Sequence, residues 1–134
     1  MKYLLDTNTC IQYINGRVPR LRETFRSKSF SDIVICSKTK AEMYFGSQKS
    51  QTPIRSRAVQ DDFLQNFDSL PFDDAAAEEY GAIRAYLEKR GTPIGPHDML
   101  LAAIARAKGL IIVTHNTREF MRVPGLNVED WETG

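Results

Sequence analysis

The sequence predicts an α/β fold: a central, mostly parallel sheet with helices on both faces. Three observations carry that prediction. Short apolar runs, Tyr3-Leu4-Leu5, Ile33-Val34-Ile35-Cys36 and Leu110-Ile111-Ile112-Val113, read as strands covered on both faces, because they do not alternate apolar with polar. Stretches of helical period separate them. Each run also gives way at once to residues that open helices: Asp6-Thr7-Asn8-Thr9, Ser37-Lys38-Thr39 and Thr114-His115-Asn116-Thr117. Strands that alternate with helices in this way make a parallel sheet.

Taken in order, Lys2 to Leu5 is the first strand, and Thr7, Asn8 and Thr9 are candidate caps for a helix carrying Cys10, Ile11 and Ile14 that stops at Gly16. Arg20 to Ser29 is charged and helix-compatible, and Asp32 to Cys36 is the second strand. Ser37 and Thr39 are candidate caps for the helix through Ala41-Glu42-Met43-Tyr44-Phe45-Gly46. Ser47 to Ser56, polar and containing Pro53, reads as a loop or as the frayed end of that helix. From Ala58 onward, Val59, Phe63 and Phe67 recur at helical spacing, and Leu70-Pro71-Phe72 is a candidate short strand. Asp73 or Asp74 caps the clearest helix, whose Ala76, Tyr80, Ile83 and Leu87 face the core and which Gly91 ends. Thr92 to Pro96 is a rigid connection, and His97-Asp98 opens a helix, Met99 to Ala107, so apolar that it belongs at the centre. After Val113 come a turn through Glu119 and Phe120, a small strand around Asn127 and Val128, and a tail with Trp131.

A chain of 134 residues has the size of one domain, and no repeat or linker divides residues 1–134. Its 18 Lys and Arg nearly cancel its 17 Asp and Glu, so overall charge selects no partner and any electrostatic signal must be local. Cys10 and Cys36 have neither disulfide-framework nor zinc spacing and are expected to be buried small apolar residues. With no apolar run long enough to span a bilayer, the expectation is a soluble protein of a reducing compartment, the cytoplasm.

In parallel sheets, ligands bind beyond the carboxyl ends of the strands. Asp6, Glu42, Asp98, Asn116 and Glu119 all map to that rim. Gathered carboxylates repel by roughly 4 kcal/mol per pair at about 4 Å and an effective dielectric near 20, so three need a cation or a shifted protonation. An oxygen-rich set without a cysteine cluster favours Mg²⁺, with Mn²⁺ as a substitute, over zinc. Each residue also has a plainer role. Asp6 fits a turn or cap, Asp98 suits the positive end of a helix dipole, and Thr39-Lys40-Ala41-Glu42 fits a capping box. The acidic reading therefore stands only if Asp6, Glu42 and Asp98 meet.

Together these motifs resemble the PIN-domain ribonucleases, and more narrowly the VapC toxins of bacterial toxin–antitoxin pairs. The resemblance covers nearly the whole chain and rests on MKYLLDTN, Thr39 to Glu42 with Tyr44 and Gly46, Pro93 to Asp98, Ile112 to Phe120 and Asp130-Trp131. It implies a three-layer α/β/α domain with four or five parallel strands. It implies metal-dependent hydrolysis of RNA, leaving 5′-phosphate and 3′-hydroxyl ends, on Asp6, Glu42 and Asp98 with Asn116 and Glu119 in support. Asp6 and Asp98 would be the best direct metal ligands, with Glu42 beside them. Many PIN domains carry an aspartate where this chain has Asn116, which removes a charge and puts a tightly held second metal in doubt. Asn8, Thr114 and Arg118 are expected to orient Asp6 or the substrate, with Thr7 an alternative hydroxyl. The resemblance further implies a VapB-type antitoxin lying across the active-site groove, and a homodimer. The basic stretch Arg17, Arg20, Arg22, Arg26 and Lys28, with Lys38, Lys40 and Lys49, would meet phosphates or a partner, while Tyr44 and Phe45 fit an interface.

Two other readings compete. A catalytically silent RNA- or protein-binding domain of the same fold is favoured by Asn116 and opposed by the three retained acids. A phosphatase with Asp6 as covalent nucleophile needs a D-x-D-x-T motif, and Asp6-Thr7-Asn8-Thr9-Cys10 lacks its second Asp and final Thr.

Overall fold

The computed structural model describes residues 1–133. Five short strands, β1 (Tyr3–Leu5), β2 (Ile33–Cys36), β3 (Asp68–Leu70), β4 (Ile111–Val113) and β5 (Asn127–Glu129), pair in parallel in the order β3-β2-β1-β4-β5. The connections are α1 (Thr7–Asn15), α2 (Pro19–Arg26), α3 (Ser37–Lys49), α4 (Pro53–Leu64), α5 (Asp74–Lys89), α6 (Pro96–Lys108) and α7 (Thr117–Phe120). From β1 the chain steps outward through β2 to β3, then returns past β1 to β4 and β5. Right-handed crossovers in opposite directions put the helices on opposite faces, which gives the three-layer α/β/α arrangement.

The period-2 geometry of each strand divides its apolar residues between two cores. Leu4, Val34, Cys36 and Ile112 face the α5–α6 side and pack with Ile83, Leu87, Leu101 and Phe120. Tyr3, Leu5, Ile33, Ile35 and Val113 face the α1–α4 side with Cys10, Leu21, Phe25, Met43 and Phe63. Leu4 and Leu5 are fully buried on opposite faces, and truncating either to Ala is expected to cost about 2–5 kcal/mol. Both cysteines are free and buried, as expected.

Several boundaries differ from the sequence reading. The second helix is Pro19–Arg26 and not Arg20 to Ser29, because a 3₁₀ turn at Phe30–Asp32 already aims the chain into β2. The polar stretch after Ser47 is mostly helical: α3 runs to Lys49, and α4 begins at Pro53 rather than Ala58, since proline at the first helical position loses no intrahelical bond. Val59 is exposed, and Phe67 is buried beyond the end of α4. The third strand is Asp68–Leu70, one step before Pro71, whose missing N–H cannot join a ladder. The central helix starts at Pro96 and ends at Lys108. Asp73 caps α5 by accepting from Ala76 N–H at 3.0 Å, and Gly91 adopts φ +69° after it.

Arg22 is committed elsewhere than to a free basic surface. Its guanidinium donates to the Tyr13 carbonyl at 3.2 and 3.0 Å and closes the carboxyl end of α1 beside Gly16. Gly16 is required there, since its φ is +67° and an added Cβ would come within 3.0 Å of that guanidinium.

Candidate active site

The order of the sheet reverses between β1 and β4, and this switch point is where Asp6 sits. Its backbone N–H donates to the Val113 carbonyl at 3.1 Å, continuing the ladder one residue past the strand. Its side chain is the cap of α1: Oδ1 accepts from Thr9 N–H at 2.8 Å. Thr7, Asn8 and Thr9 are therefore not the capping residues. The other oxygen, Oδ2, accepts from the Thr114 hydroxyl at 2.5 Å, and Thr114 Oγ1 accepts in turn from Asn116 N–H at 2.9 Å. Asp6 and Thr114 are both buried. Burial raises the Asp6 pKa, the donors Thr114 and Thr9 oppose that rise, and the charge of Glu42 adds to it.

Glu42 does not take part in a capping box. Helix α3 follows β2 without a loop, Cys36 occupies the cap position, and Thr39 is already inside the helix with its hydroxyl 3.5 Å from Cys36 Sγ. Glu42 is thereby left to point across the sheet rim, where Oε1 accepts from the Thr7 hydroxyl at 3.0 Å. His97 Nδ1 lies 3.9 Å from the same oxygen.

Asp98 is the third residue of α6, in the positive first turn of the helix. Asn116 Nδ2 donates to Asp98 Oδ2 at 3.1 Å and to Glu119 Oε2 at 2.8 Å, and Glu119 Oε1 accepts from Gly95 N–H at 3.3 Å. One neutral amide thus bridges two acids. Burial first, then Glu119 and Asp6, push Asp98 up to about 7, while Asn116 partly offsets the rise. Glu119 is held below its ordinary value by the hydrogen bond with Asp98, then by Asn116 and Gly95.

Asp6, Glu42 and Asp98 line one open cavity of about 390 Å³ together with Thr7, Asn8, His97 and Asn116. Three acids separated by up to 92 positions thus line one cavity at the switch point. Their donors are hard oxygens with no zinc-type histidine or cysteine pair among them, a set that fits Mg²⁺ or Mn²⁺. Glu119 supports the cavity from behind Asn116. Arg118 is exposed on α7 and does not line it. Asn8 lines it without bonding Asp6, and the hydroxyls of Thr114 and Thr7 are spent on Asp6 and Glu42.

Two histidines that the sequence places next to Asp98 and Asn116 adjoin the site. His97 joins the cavity wall, and His115 stands beside it, its Nδ1 2.9 Å from Asp130 Oδ2 and 3.9 Å from Glu132 Oε2. The bond to Asp130 raises the His115 pKa. The Asp130-Trp131 motif holds the other end of this contact, while Trp131 packs edge-on against Tyr3.

Comparison with known proteins places this geometry among relatives. Residues 3–126 match the PIN domain family. The chain is 47% identical over 131 residues to the tRNA(fMet)-specific endonuclease VapC of Shigella flexneri, with 98% of each chain covered. It is 43% identical over 131 residues to the protein of the same name from Salmonella typhimurium, again with 98% of each covered. Among solved structures, it superposes on a chain of DNA-bound VapBC from Salmonella typhimurium with a TM-score of 0.92 at 43% identity and 98% coverage of both.

Proposed function

Because the chain belongs to the PIN-domain family and, within it, to the VapC ribonucleases, we propose that it is an endoribonuclease toxin restrained by a VapB-type antitoxin. The observation that carries the reading is the convergence of Asp6, Glu42 and Asp98 on one cavity at the sheet's switch point. The names of its relatives make the initiator tRNA its first candidate substrate. The protein acts in the cytoplasm as a homodimer in this reading, and no helix among the described residues is long and apolar enough to cross a membrane.

The three acids would hold Mg²⁺, Asp6 and Asp98 directly and Glu42 beside them. When bound, the ion supplies Lewis acidity toward a phosphate oxygen and makes water a stronger nucleophile. The rest is the work of the chain. Asp6 is locked by donors to both of its oxygens, so the reacting phosphate meets a carboxylate that does not reorient. Thr7 fixes Oε1 of Glu42, which leaves Oε2 to orient the attacking water and accept its proton. Asn116 keeps Asp98 and Glu119 in register, and Arg118, exposed at the rim, meets a flanking phosphate. In-line attack on phosphorus then breaks the bond to the 3′ oxygen, leaving a 5′-phosphate and a 3′-hydroxyl.

The test is cleavage of a mixed pool of structured RNAs, initiator tRNA included, with Mg²⁺ or Mn²⁺, beside Asp6→Asn, Asp98→Asn and EDTA controls. Cleavage that disappears in all three controls is the expected result. Metal-dependent cleavage that survives both substitutions overturns the site, and an inert wild type that still binds RNA favours the silent domain.

A further inference from the structure

A second groove, of about 470 Å³, opens beside the carboxylate cavity and shares Thr7, Glu42 and His97 with it. Its far side is built by α3. Lys38, Ala41, Glu42 and Phe45 fall at positions i, i+3, i+4 and i+7, one continuous stripe of that helix. Lys38 and Phe45 lie two turns apart, about 10 Å along the axis, and small Ala41 leaves the space between them open. Phe45 is 64% exposed, an unusual position for a large aromatic residue with a core so near. Lys49 Nζ lies 5.0 Å from its ring centroid. Lys38 makes no ion pair among the described residues. An exposed aromatic face between two lysines, opening into a groove that leads to the acids, is the combination that binds a single nucleic-acid strand: cations follow the phosphates while a base stacks on the ring.

Building on the ribonuclease reading, we propose that the Lys38–Phe45 groove is a nucleotide subsite of the active site, in which a base flanking the scissile phosphate stacks on Phe45 and its phosphate pairs with Lys38. Continuity with the catalytic cavity, and the two lysines that flank Phe45, favour an RNA strand over a protein segment here. Tyr44, the other aromatic residue of this helix, is unsuited to the role because Arg57 already covers its ring at 3.7 Å. The subsite selects for unpaired nucleotides, since a paired base cannot turn onto the ring.

The test has a binding arm and a kinetic arm. In EDTA, where no cleavage occurs, anisotropy of a labelled single-stranded oligoribonucleotide should show about tenfold weaker binding for Phe45→Ala and a smaller loss for Lys38→Gln. Phe45→Trp should retain binding, and its added indole fluorescence should be quenched by the RNA but not by an oligomer abasic at the flanking position. With Mg²⁺, Phe45→Ala should raise KM by a similar factor and leave kcat nearly unchanged. Unchanged RNA binding and KM in Phe45→Ala overturn the subsite while leaving the nuclease intact, and the same result with weakened antitoxin association assigns the ring to a protein partner. If the wild type does not cleave, the nuclease reading fails and the binding arm still decides the subsite. Phe45 is exposed, so thermal melting of each variant should match the wild type.

Discussion

The two halves of the acidic rim are held in opposite ways. On the β1 side, Asp6 is buried and tied to the scaffold by one backbone and one hydroxyl donor. On the α6–α7 side, Asp98 is held by the amide of Asn116, and Glu119 by the same amide and the Gly95 N–H. The first arrangement is stable without help. The second gathers negative charge with one neutral donor between two acids, so burial and repulsion drive Asp98 to about 7. One half of the rim is therefore anchored to the scaffold, and the other is held through a single amide between two acids.

The largest effect expected from that contrast is on catalysis, where both halves should prove equally necessary. Asp6→Asn and Asp98→Asn should each lower kcat for RNA cleavage by about a hundredfold or more, because each removes a carboxylate that would hold the cation. An activity near wild type in either variant breaks the comparison at its root.

Stability should then separate what catalysis does not. Asp6→Ala removes the α1 cap, costing about 1 kcal/mol, and orphans the buried Thr114 hydroxyl, costing about 1–3 kcal/mol more. Its Tm should fall by several degrees. Metal-free Asp98→Asn should instead melt at or above the wild type, since it relieves the crowding with Glu119. Equal destabilisation of the two variants in a thermal melt refutes the division into an anchored and a crowded half.

A smaller effect should appear with pH. An acid whose folded pKa is raised binds its proton more tightly folded than unfolded, so the metal-free chain loses stability as pH rises from the ordinary 3.8 of Asp98 through about 7. Asp6, also raised, contributes in the same direction. Mg²⁺ selects the ionised carboxylates, so it should raise Tm more in mildly alkaline than in mildly acidic buffer. The Asp98→Asn variant should show a flatter profile by scanning fluorimetry. Stability that rises over this window contradicts the assignment.

The smallest effect belongs to the outer contact, His115 with Asp130. The pair is solvent-exposed, and exposed pairs contribute little. His115→Gln should leave Tm nearly unchanged at every pH, and what the pair contributes should fade as pH rises through the raised His115 pKa.

Much of this was legible in the residue order. The strand ending at Asp6, the Asp73 cap and Gly91 stop of α5, and the apolar strand before Thr114 are local patterns that read correctly from composition and spacing. The errors share one cause. Thr39-Lys40-Ala41-Glu42 matches a capping box, but the box needs Thr39 at the N-cap, and the β2 ladder delivers the chain into α3 with Cys36 there, three residues earlier. Ser47 to Ser56 read as a loop or frayed helix end, whereas Pro53 starts α4, because its first-turn position was not visible without α3 ending at Lys49. Val59 kept the helical period but faces a surface groove, while Phe63 reaches the core.

The sequence by itself determined that the chain is α/β, where β1, β2 and β4 run, and that Asp6 directly follows β1, since apolar runs and caps act over a few residues. Only the tertiary structure decided that Asp6 both caps α1 and lines the cavity, that Glu42 bonds Thr7, and that Asn116 bridges Asp98 and Glu119. Those contacts span 35, 18 and 108 positions for Thr7–Glu42, Asp98–Asn116 and Asp6–Thr114. They exist because right-handed crossovers in opposite directions bring β1 and β4 together at the switch point, a consequence of packing that no local pattern encodes.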